Sequence, residues 1–170
     1  MSILNWSKVY LHATKHIKFL FFKSKNKSWD NDKSILLFSE GRGGGTWLLE
    51  MLSDASNAVT IFEPFSGTNF DYNKRLKDFD YPFAHSNKQQ AASLKDFMND
   101  VLSIKNPGLK SLQFNSFSRI LFSKNAVIKI VNKNLIVPFI LDNYKFKNKP
   151  ILLIRNPIEV INSRISYGFK

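Results

Sequence analysis

Residues 34–52 read Ser34-Ile35-Leu36-Leu37-Phe38-Ser39-Glu40-Gly41-Arg42-Gly43-Gly44-Gly45-Thr46-Trp47-Leu48-Leu49-Glu50-Met51-Leu52. An apolar run leads into four glycines and one arginine at positions 41–45, after which apolar residues return with helical spacing. This order predicts a strand, a tight loop and a helix. Glycine suits a loop whose backbone takes positive φ or approaches a ligand closely. The loop N–H groups, the helix dipole and Arg42 together predict an anion-binding site.

The remaining apolar segments alternate between strand-like and helix-like spacing. Strands are predicted at 35–39, 58–62, 126–131 and 150–154, and helices at 46–54, 91–105, 135–144 and from Pro157 onward. Such alternation, with short and continuously apolar strands, predicts an α/β fold with three layers, α/β/α, around a central parallel sheet. Residues 65–90 are aromatic and polar without a clear period, and we expect an ordered loop or a substrate-facing insertion there.

Length and composition indicate one globular domain. The chain has 170 residues, 44% of them hydrophobic, and a net charge of +12. An excess of positive charge favours polyanionic partners, among them nucleotides, acidic glycans, anionic membranes and nucleic acid. No cysteine is present, and His12, His16 and His85 form no zinc signature, so we expect no metal site.

The first 33 residues differ in character from the domain predicted at 34–170. Residues 1–23 have the pattern of a basic amphipathic helix, and a polar linker follows up to Lys33. No apolar run reaches the roughly 18 to 20 residues that span a bilayer. We expect the helix to pack against the domain, with peripheral membrane contact through residues 1–23 as the alternative, and we expect a cytoplasmic location.

Two further charged residues directly follow predicted strands. Glu63 ends the second strand before Pro64, and Arg155 ends the last strand before Asn156-Pro157. Ligands of parallel sheets collect at the carboxyl ends of the strands. Ser163 lies nearly two turns into the helix that starts at Pro157, so Arg155 and Ser163 could bind one phosphate between them.

Together these two motifs resemble the nucleotide-binding signatures of sulfotransferases that use 3'-phosphoadenosine 5'-phosphosulfate (PAPS), with both halves in the same order. The phosphosulfate loop of that family is similar to the run Arg42-Gly43-Gly44-Gly45-Thr46-Trp47-Leu48, and its second motif is similar to Arg155-Asn156-Pro157 with a serine eight residues after the arginine. The resemblance runs from about residue 34 to 168. It implies a P-loop-like sulfotransferase fold and sulfuryl transfer from PAPS to a hydroxyl of a carbohydrate or a tyrosyl protein, without specific nucleic-acid binding.

The resemblance also implies roles for individual residues. For the cofactor these are Arg42, Gly43, Gly44, Gly45, Thr46 and Trp47 at the 5'-phosphosulfate loop, and Arg155 and Ser163 at the 3'-phosphate. Arg42 would also stabilise charge during transfer. Glu63 resembles the glutamate base of the glycan and tyrosyl-protein branches, with His85 as the second candidate base and a salt bridge to Arg42 as the alternative role of Glu63.

Departures from the sulfotransferase motifs leave other functional interpretations open. Three consecutive glycines leave Thr46 as the one hydroxyl of the loop, and the chain stops at Lys170, where family members continue, so we expect a fragment. A P-loop phosphotransferase needs a lysine where Gly45 stands, and a dinucleotide-binding domain needs a third glycine where Thr46 stands. A non-catalytic basic module that binds nucleotides, glycans or nucleic acid is the remaining alternative.

Overall fold

A computed structural model describes residues 13–22, 29–67, 69–76 and 88–168. The strands are β1 (Ile35–Ser39), β2 (Val59–Phe62), β3 (Ala126–Val131) and β4 (Ile151–Leu153). The helices are α1 (residues 13–22), α2 (Gly45–Ser56), α3 (Tyr72–Arg75), α4 (Lys88–Leu102), α5 (Phe117–Phe122), α6 (Val137–Asn143) and α7 (Pro157–Ser166). Short 3-10 turns lie at Asn31–Lys33, Asn69–Asp71, Lys110–Leu112 and Asn134–Ile136.

The four strands form one sheet in the order β2-β3-β1-β4, and every pairing is parallel. Leu37 of β1 lies opposite Lys129 of β3 and Ile151 of β4, so β1 is hydrogen-bonded on both sides. Because all strands run the same way, their carboxyl ends meet at one edge of the sheet. The mixed α/β class and the parallel sheet are confirmed, and the arrangement is compatible with three layers.

The two faces of the sheet bury different helices. Leu37 packs with Leu49 of α2 on one face, whereas Leu36 and Phe38 pack on the other with residues of α4, α5 and α6. The connection from β1 to β2 passes β3 and runs toward one side of the sheet. The connections from β2 to β3 and from β3 to β4 run toward the other side. Parallel crossovers share one hand, so connections that run in opposite directions lie on opposite faces.

The predicted strands match the observed ones to within a residue or two, whereas three helices differ from prediction. Helix α3 lies within residues 65–90, where no helix was predicted. Helix α4 was predicted over 91–105 but ends at Leu102, because the buried Ile104 takes a left-handed conformation (φ 52°) and Lys105 N–H donates to the Asp100 carbonyl. Helix α5 was not predicted, since six residues are too few to display a period. Its sequence signal is Ser116, whose Oγ accepts a hydrogen bond from Arg119 N–H at the helix start.

The segment predicted as a linker is partly packed structure. Phe22 of α1 stacks on Trp29 with ring centroids 5.6 Å apart, and Asp30 N–H donates to the Lys124 carbonyl. Phe19 and Phe22 join the same core cluster as α4 and α6, so α1 lies against the domain. Within the linker predicted from Lys23 to Lys33, residues 29–33 therefore form a short turn in contact with the domain. Residues 1–12 and 23–28 lie outside the described residues.

Helix α7 packs loosely beside β4. Val160 is its buried residue, while Ile158, Ile161 and Ile165 are exposed. No helix in the described ranges is long and apolar enough to cross a bilayer.

The outer edge of β2 is closed by a side chain, and this contact is testable. The amide of Asn115, buried to 1% exposure, accepts from Thr60 N–H (2.7 Å) and donates to Thr60 C=O (2.8 Å). We expect Asn115→Ala to lower the free energy of unfolding by about 2–4 kcal/mol, because it leaves two buried backbone groups unpaired. Urea unfolding measures this, with Asn162→Ala on the exposed side of α7 as the matched control, expected within about 0.5 kcal/mol of the parent. Equal losses would contradict this role.

Candidate functional site

The glycine loop between β1 and α2 has the geometry of an anion site. Gly44 is the N-cap of α2 in a left-handed conformation (φ 86°), and among the described residues no side chain caps the helix. The N–H groups of the first helical turn, from Gly45 on, have no acceptor within the helix itself. They point out of the carboxyl edge of the sheet with the positive end of the helix dipole, where an anion is stabilised.

The close packing of the loop on β1 explains why glycine stands at its last position. A Cβ added at Gly45 would overlap the buried Ser39 hydroxyl and would lie 3.0 Å from Lys129 Cε. A Cβ added at Gly43 would lie 3.0 Å from the Glu40 carbonyl oxygen, which accepts from Gly43 N–H. The loop therefore lies directly on the strand end, which brings the helix N-terminus down to the sheet.

Neighbouring segments hold the start of the loop. Asn132, directly after β3, accepts from Gly41 N–H at 2.9 Å, and its own N–H donates to the Ser39 carbonyl. Arg164 of α7 donates to the Gly41 carbonyl at 3.4 Å and pairs with Glu40 at 3.5 Å. The loop is thereby fixed to the turn after β3 and to α7, which follows β4.

Arg42 and the second predicted motif meet in space. Arg42 Nε donates to Ser163 Oγ at 3.2 Å, and Arg155 Nη1 donates to the Arg42 carbonyl at 3.3 Å. The Arg42 guanidinium also lies over the ring of Tyr167, 3.6 Å from its centroid. Arg155 pairs in turn with Glu159 at 2.8 Å, one helical turn further on. Arg155 and Ser163 thus form one cluster of cationic and hydroxyl groups with Arg42, although they lie 113 and 121 positions after it in the chain.

Beside this cluster lies a second, more deeply buried group centred on Lys129. The Lys129 ammonium donates to Thr46 Oγ1 at 2.9 Å and to Glu63 Oε1 at 3.2 Å. Lys110 approaches the other carboxylate oxygen of Glu63 at 3.9 Å. The predicted residues Thr46 and Glu63 are therefore linked through a lysine that was not predicted.

Lys129 is in an unusual environment for a lysine. It is 5% exposed, and its ammonium lies 4.5 Å from the centroid of the Phe62 ring. Burial lowers the pKa of Lys129 from its ordinary value of 10.5, while the adjacent Glu63 carboxylate opposes this shift. Its sequence signal is a lysine inside the otherwise apolar run Ala126-Val127-Ile128-Lys129-Ile130-Val131, where a fully buried charge is rare unless it is paired.

Strained backbone marks the same edge of the sheet. Arg42 (φ 69°), Glu63 (φ 46°) and Asn132 (φ 55°) are left-handed without being glycine, and each directly follows or lies within two or three residues of a strand end. Non-glycine residues whose backbone is held in a left-handed conformation cluster at functional sites. The left-handed turn at Glu63 is held by Asn69, whose side-chain amide donates to the Glu63 carbonyl at 3.0 Å.

A cavity of about 280 Å³ opens next to Glu63. Its lining includes Phe65, Ser66, Tyr72 and Lys133, which come from the segment after β2 and the turn after β3. Aromatic rings and polar groups thus adjoin the carboxylate on the side away from the buried sheet. This cavity has the size and the mixed chemistry of a binding site for a small organic group.

Most predicted site residues converge at this edge. Those brought together are Arg42, Gly43, Gly44, Gly45, Thr46, Glu63, Arg155 and Ser163. The salt bridges of Glu63 go to Lys129 and Lys110, so its predicted alternative role of orienting Arg42 gains no support from these contacts. Trp47 is 67% exposed on α2. His85 lies outside the described residues.

The arrangement can bind a multiply charged anion and can take up a proton. Arg42, Arg155 and the loop amides supply positive charge at one point, and Glu63 supplies a carboxylate beside the cavity. In the described ranges no group of three or more His, Asp or Glu side chains could hold a metal ion.

Comparisons with known proteins identify no relative, since no family model, no curated protein and no solved structure matches this chain.

The contact between the loop and the strand end can be tested by coupling two substitutions. We expect Gly45→Ala to cost about 1–3 kcal/mol of unfolding free energy, because the new methyl group displaces Ser39. We expect Ser39→Ala to relieve about 1 kcal/mol of that cost, which a double-mutant cycle in urea measures.

Gly44→Ala is the matched control. A Cβ there meets no atom of the described part of the chain within 4 Å, and its cost of about 1 kcal/mol comes from the left-handed conformation alone. This cost should therefore not change in the Ser39→Ala background. Coupling of Ser39 to Gly44 as strong as to Gly45 would contradict direct packing.

Proposed function

We propose that this chain is the nucleotide-binding part of a PAPS-dependent sulfotransferase of the P-loop-like sulfotransferase fold. The observation that carries the proposal is that Ser163 and Arg155 both contact Arg42 of the glycine loop, although they lie 121 and 113 positions after it in the chain. The donor nucleotide carries charge at two places, and this cluster offers two sets of donors. The match of both motifs to the family pattern supports the same assignment.

The first set of donors suits the 5'-phosphosulfate. The N–H groups of Gly45 and Thr46 open the helix, and Thr46 Oγ1 stands beside the Lys129 ammonium at 2.9 Å. Sulfuryl transfer, like phosphoryl transfer, mainly requires alignment and positive charge on the oxygens of the transferred and leaving groups. The helix N-terminus and Lys129 supply that charge from two sides.

The second set suits the 3'-phosphate. Arg155 offers its guanidinium at the end of β4, and Ser163 can donate its hydroxyl proton to a phosphate oxygen while it accepts from Arg42 at 3.2 Å. Arginine favours phosphate because its planar fork can make two parallel hydrogen bonds. Arg42 then links the two phosphate positions.

Glu63 is the proposed base. The oxygen of an acceptor hydroxyl forms a bond to sulfur, the bond from sulfur to the oxygen of the 5'-phosphate breaks, and the hydroxyl proton passes to Glu63. The products are the sulfated acceptor and 3'-phosphoadenosine 5'-phosphate. Lys129 donates to Glu63 at 3.2 Å, which fixes the carboxylate orientation, and its ammonium can neutralise charge on the departing phosphate oxygen.

The cavity beside Glu63 is the proposed acceptor site. Tyr72 and Phe65 line it, and the Lys133 ammonium lies 5.9 Å from the Tyr72 ring centroid. Aromatic faces suit sugar rings and phenols alike, and we propose a carbohydrate hydroxyl as the acceptor.

Nucleotide binding tests the proposal directly. Calorimetry at low salt should detect 3'-phosphoadenosine 5'-phosphate binding, with adenosine 5'-phosphate weaker by about tenfold or more because one charge-assisted phosphate contact is lost. Arg155→Ala should remove most of that difference between the two nucleotides. Arg119→Ala is the matched control, since it deletes an arginine paired with Asp54 near the far end of α2 and should leave binding unchanged.

The other functional classes predict different results. A phosphotransferase would prefer adenosine triphosphate, and Lys129 beside Thr46 is the contact that favours this second candidate. A basic binding module would bind with steep salt dependence and would respond to Arg119→Ala as much as to Arg155→Ala. Absence of binding to 3'-phosphoadenosine 5'-phosphate at low salt would overturn the sulfotransferase proposal.

Catalysis tests the role of Glu63. Glu63→Gln should keep the affinity for 3'-phosphoadenosine 5'-phosphate and lower turnover by about 10²-fold or more, the usual scale for loss of a general base. Turnover is measured as nucleotide released from PAPS with a panel of sugar and phenol acceptors.

Two lysine variants refine this test. Lys129→Met should also lower turnover strongly, whereas Lys110→Gln, which removes an exposed lysine 3.9 Å from Glu63, should have a small effect. The mechanism requires the charged form of Lys129, and burial lowers the pKa of this lysine from its ordinary value of 10.5. As the pH rises, the activity of the wild-type protein should therefore be lost at a pH lower than 10.5. Unchanged turnover in Glu63→Gln would remove Glu63 from the mechanism.

A further inference from the structure

Helix α1 carries apolar side chains on two opposite faces. Phe19 and Phe22 face the core, and Phe22 is 8% exposed. Ile17, Leu20 and Phe21 follow the i, i+3, i+4 spacing of a second face, on which they are 53%, 64% and 36% exposed. Packing of Phe19 and Phe22 against the core therefore leaves apolar side chains of this helix exposed.

The exposed face continues onto α5. The Phe21 and Phe117 rings meet edge to face with centroids 6.1 Å apart, and Phe117 is 40% exposed. Phe122, at the end of α5, is 71% exposed. We call Ile17, Leu20, Phe21 and Phe117 the α1–α5 surface. A group of large exposed apolar side chains on two adjoining helices is typical of an interaction site.

Positive charge accompanies this surface. The sequences of α1 and α5 contain no acidic residue, Lys18 belongs to α1, and Lys124 follows α5 closely. The Lys18 ammonium lies 5.8 Å from the Phe117 ring centroid, so it stands at the junction of the two helices. Arg119 is neutralised by its salt bridge to Asp54. An apolar surface next to lysines matches the interface of an anionic bilayer, where rings enter the acyl boundary and lysines meet headgroups.

The α1–α5 surface lies at the opposite edge of the sheet from the glycine loop. Trp29, on which Phe22 stacks, precedes β1, and Phe122 precedes β3, so both lie at the amino ends of these parallel strands. A bilayer on that side would leave the carboxyl edge facing the aqueous phase. The two sites can therefore be tested independently.

We propose that the α1–α5 surface docks on membranes that contain anionic phospholipid, as an interfacial contact without insertion across the bilayer. Charge complementarity selects this occupant over a second copy of the chain, since each copy carries a net charge of +12 and would repel the other. The inference does not depend on the proposed function of the glycine loop.

Vesicle sedimentation with the full chain tests the proposal. The protein should bind vesicles of phosphatidylcholine with phosphatidylserine, bind vesicles of phosphatidylcholine alone far less, and release from the mixed vesicles as salt rises. Leu20→Ala should weaken the partition about tenfold, through loss of buried apolar area. Lys18→Gln should weaken it about fivefold on the mixed vesicles alone.

The matched control is Leu141→Ala, which truncates a comparably exposed leucine (53%) on α6 and should leave partition unchanged. Circular dichroism and urea unfolding of each variant separate misfolding from loss of docking. No binding to the mixed vesicles, equal losses in Leu20→Ala and Leu141→Ala, or a dimer in vesicle-free solution that Leu20→Ala dissociates would overturn the proposal.

Discussion

The parallel pairing of β1 with β3 on one side and β4 on the other is the constraint on which the rest of the structure depends. Together with the parallel pairing of β2 and β3, it brings the carboxyl ends of all four strands to one edge, where the glycine loop lies between Glu63 and Arg155 in the sheet order. The direct packing of Gly45 on Ser39 then sets the height of α2 above the sheet. Without that close approach, the helix N-terminus would stand away from Lys129 and Thr46 would lose its partner.

Burial of Lys129 has a cost that its neighbours offset. Removing an ammonium from water is unfavourable unless it is paired and hydrogen-bonded, and here it has Glu63, Thr46 and the Phe62 ring. An apolar residue would fill the same strand position without these requirements, so the lysine is better explained by chemistry at the sheet edge than by stability. Perturbed and paired ionisable groups in such positions are candidates for functional sites.

Prediction from the sequence succeeded where a local pattern carries the information. The four strands are short continuous apolar runs, and α2 starts at the end of the glycine stretch, because glycine and hydrophobic periodicity act locally. The prediction failed where contacts between residues far apart in the chain set the bounds of a helix or turn. The end of α4 depends on burial of Ile104, the packed turn at Asn31–Lys33 depends on contacts of neighbouring residues with Lys124 and Phe22, and six-residue α5 has no visible period.

By itself, the sequence determined the fold class, the strand–loop–helix unit and the residue types able to bind an anion, since these follow from spacing, from glycine conformations and from charge. Only the tertiary structure decided that Arg42 meets Ser163, that Glu63 pairs with Lys129 rather than with Arg42, and that α1 shares its exposed apolar face with α5. The physical reason is that sheet order and register bring distant residues into contact, and these are set by packing of the whole chain rather than by any local pattern.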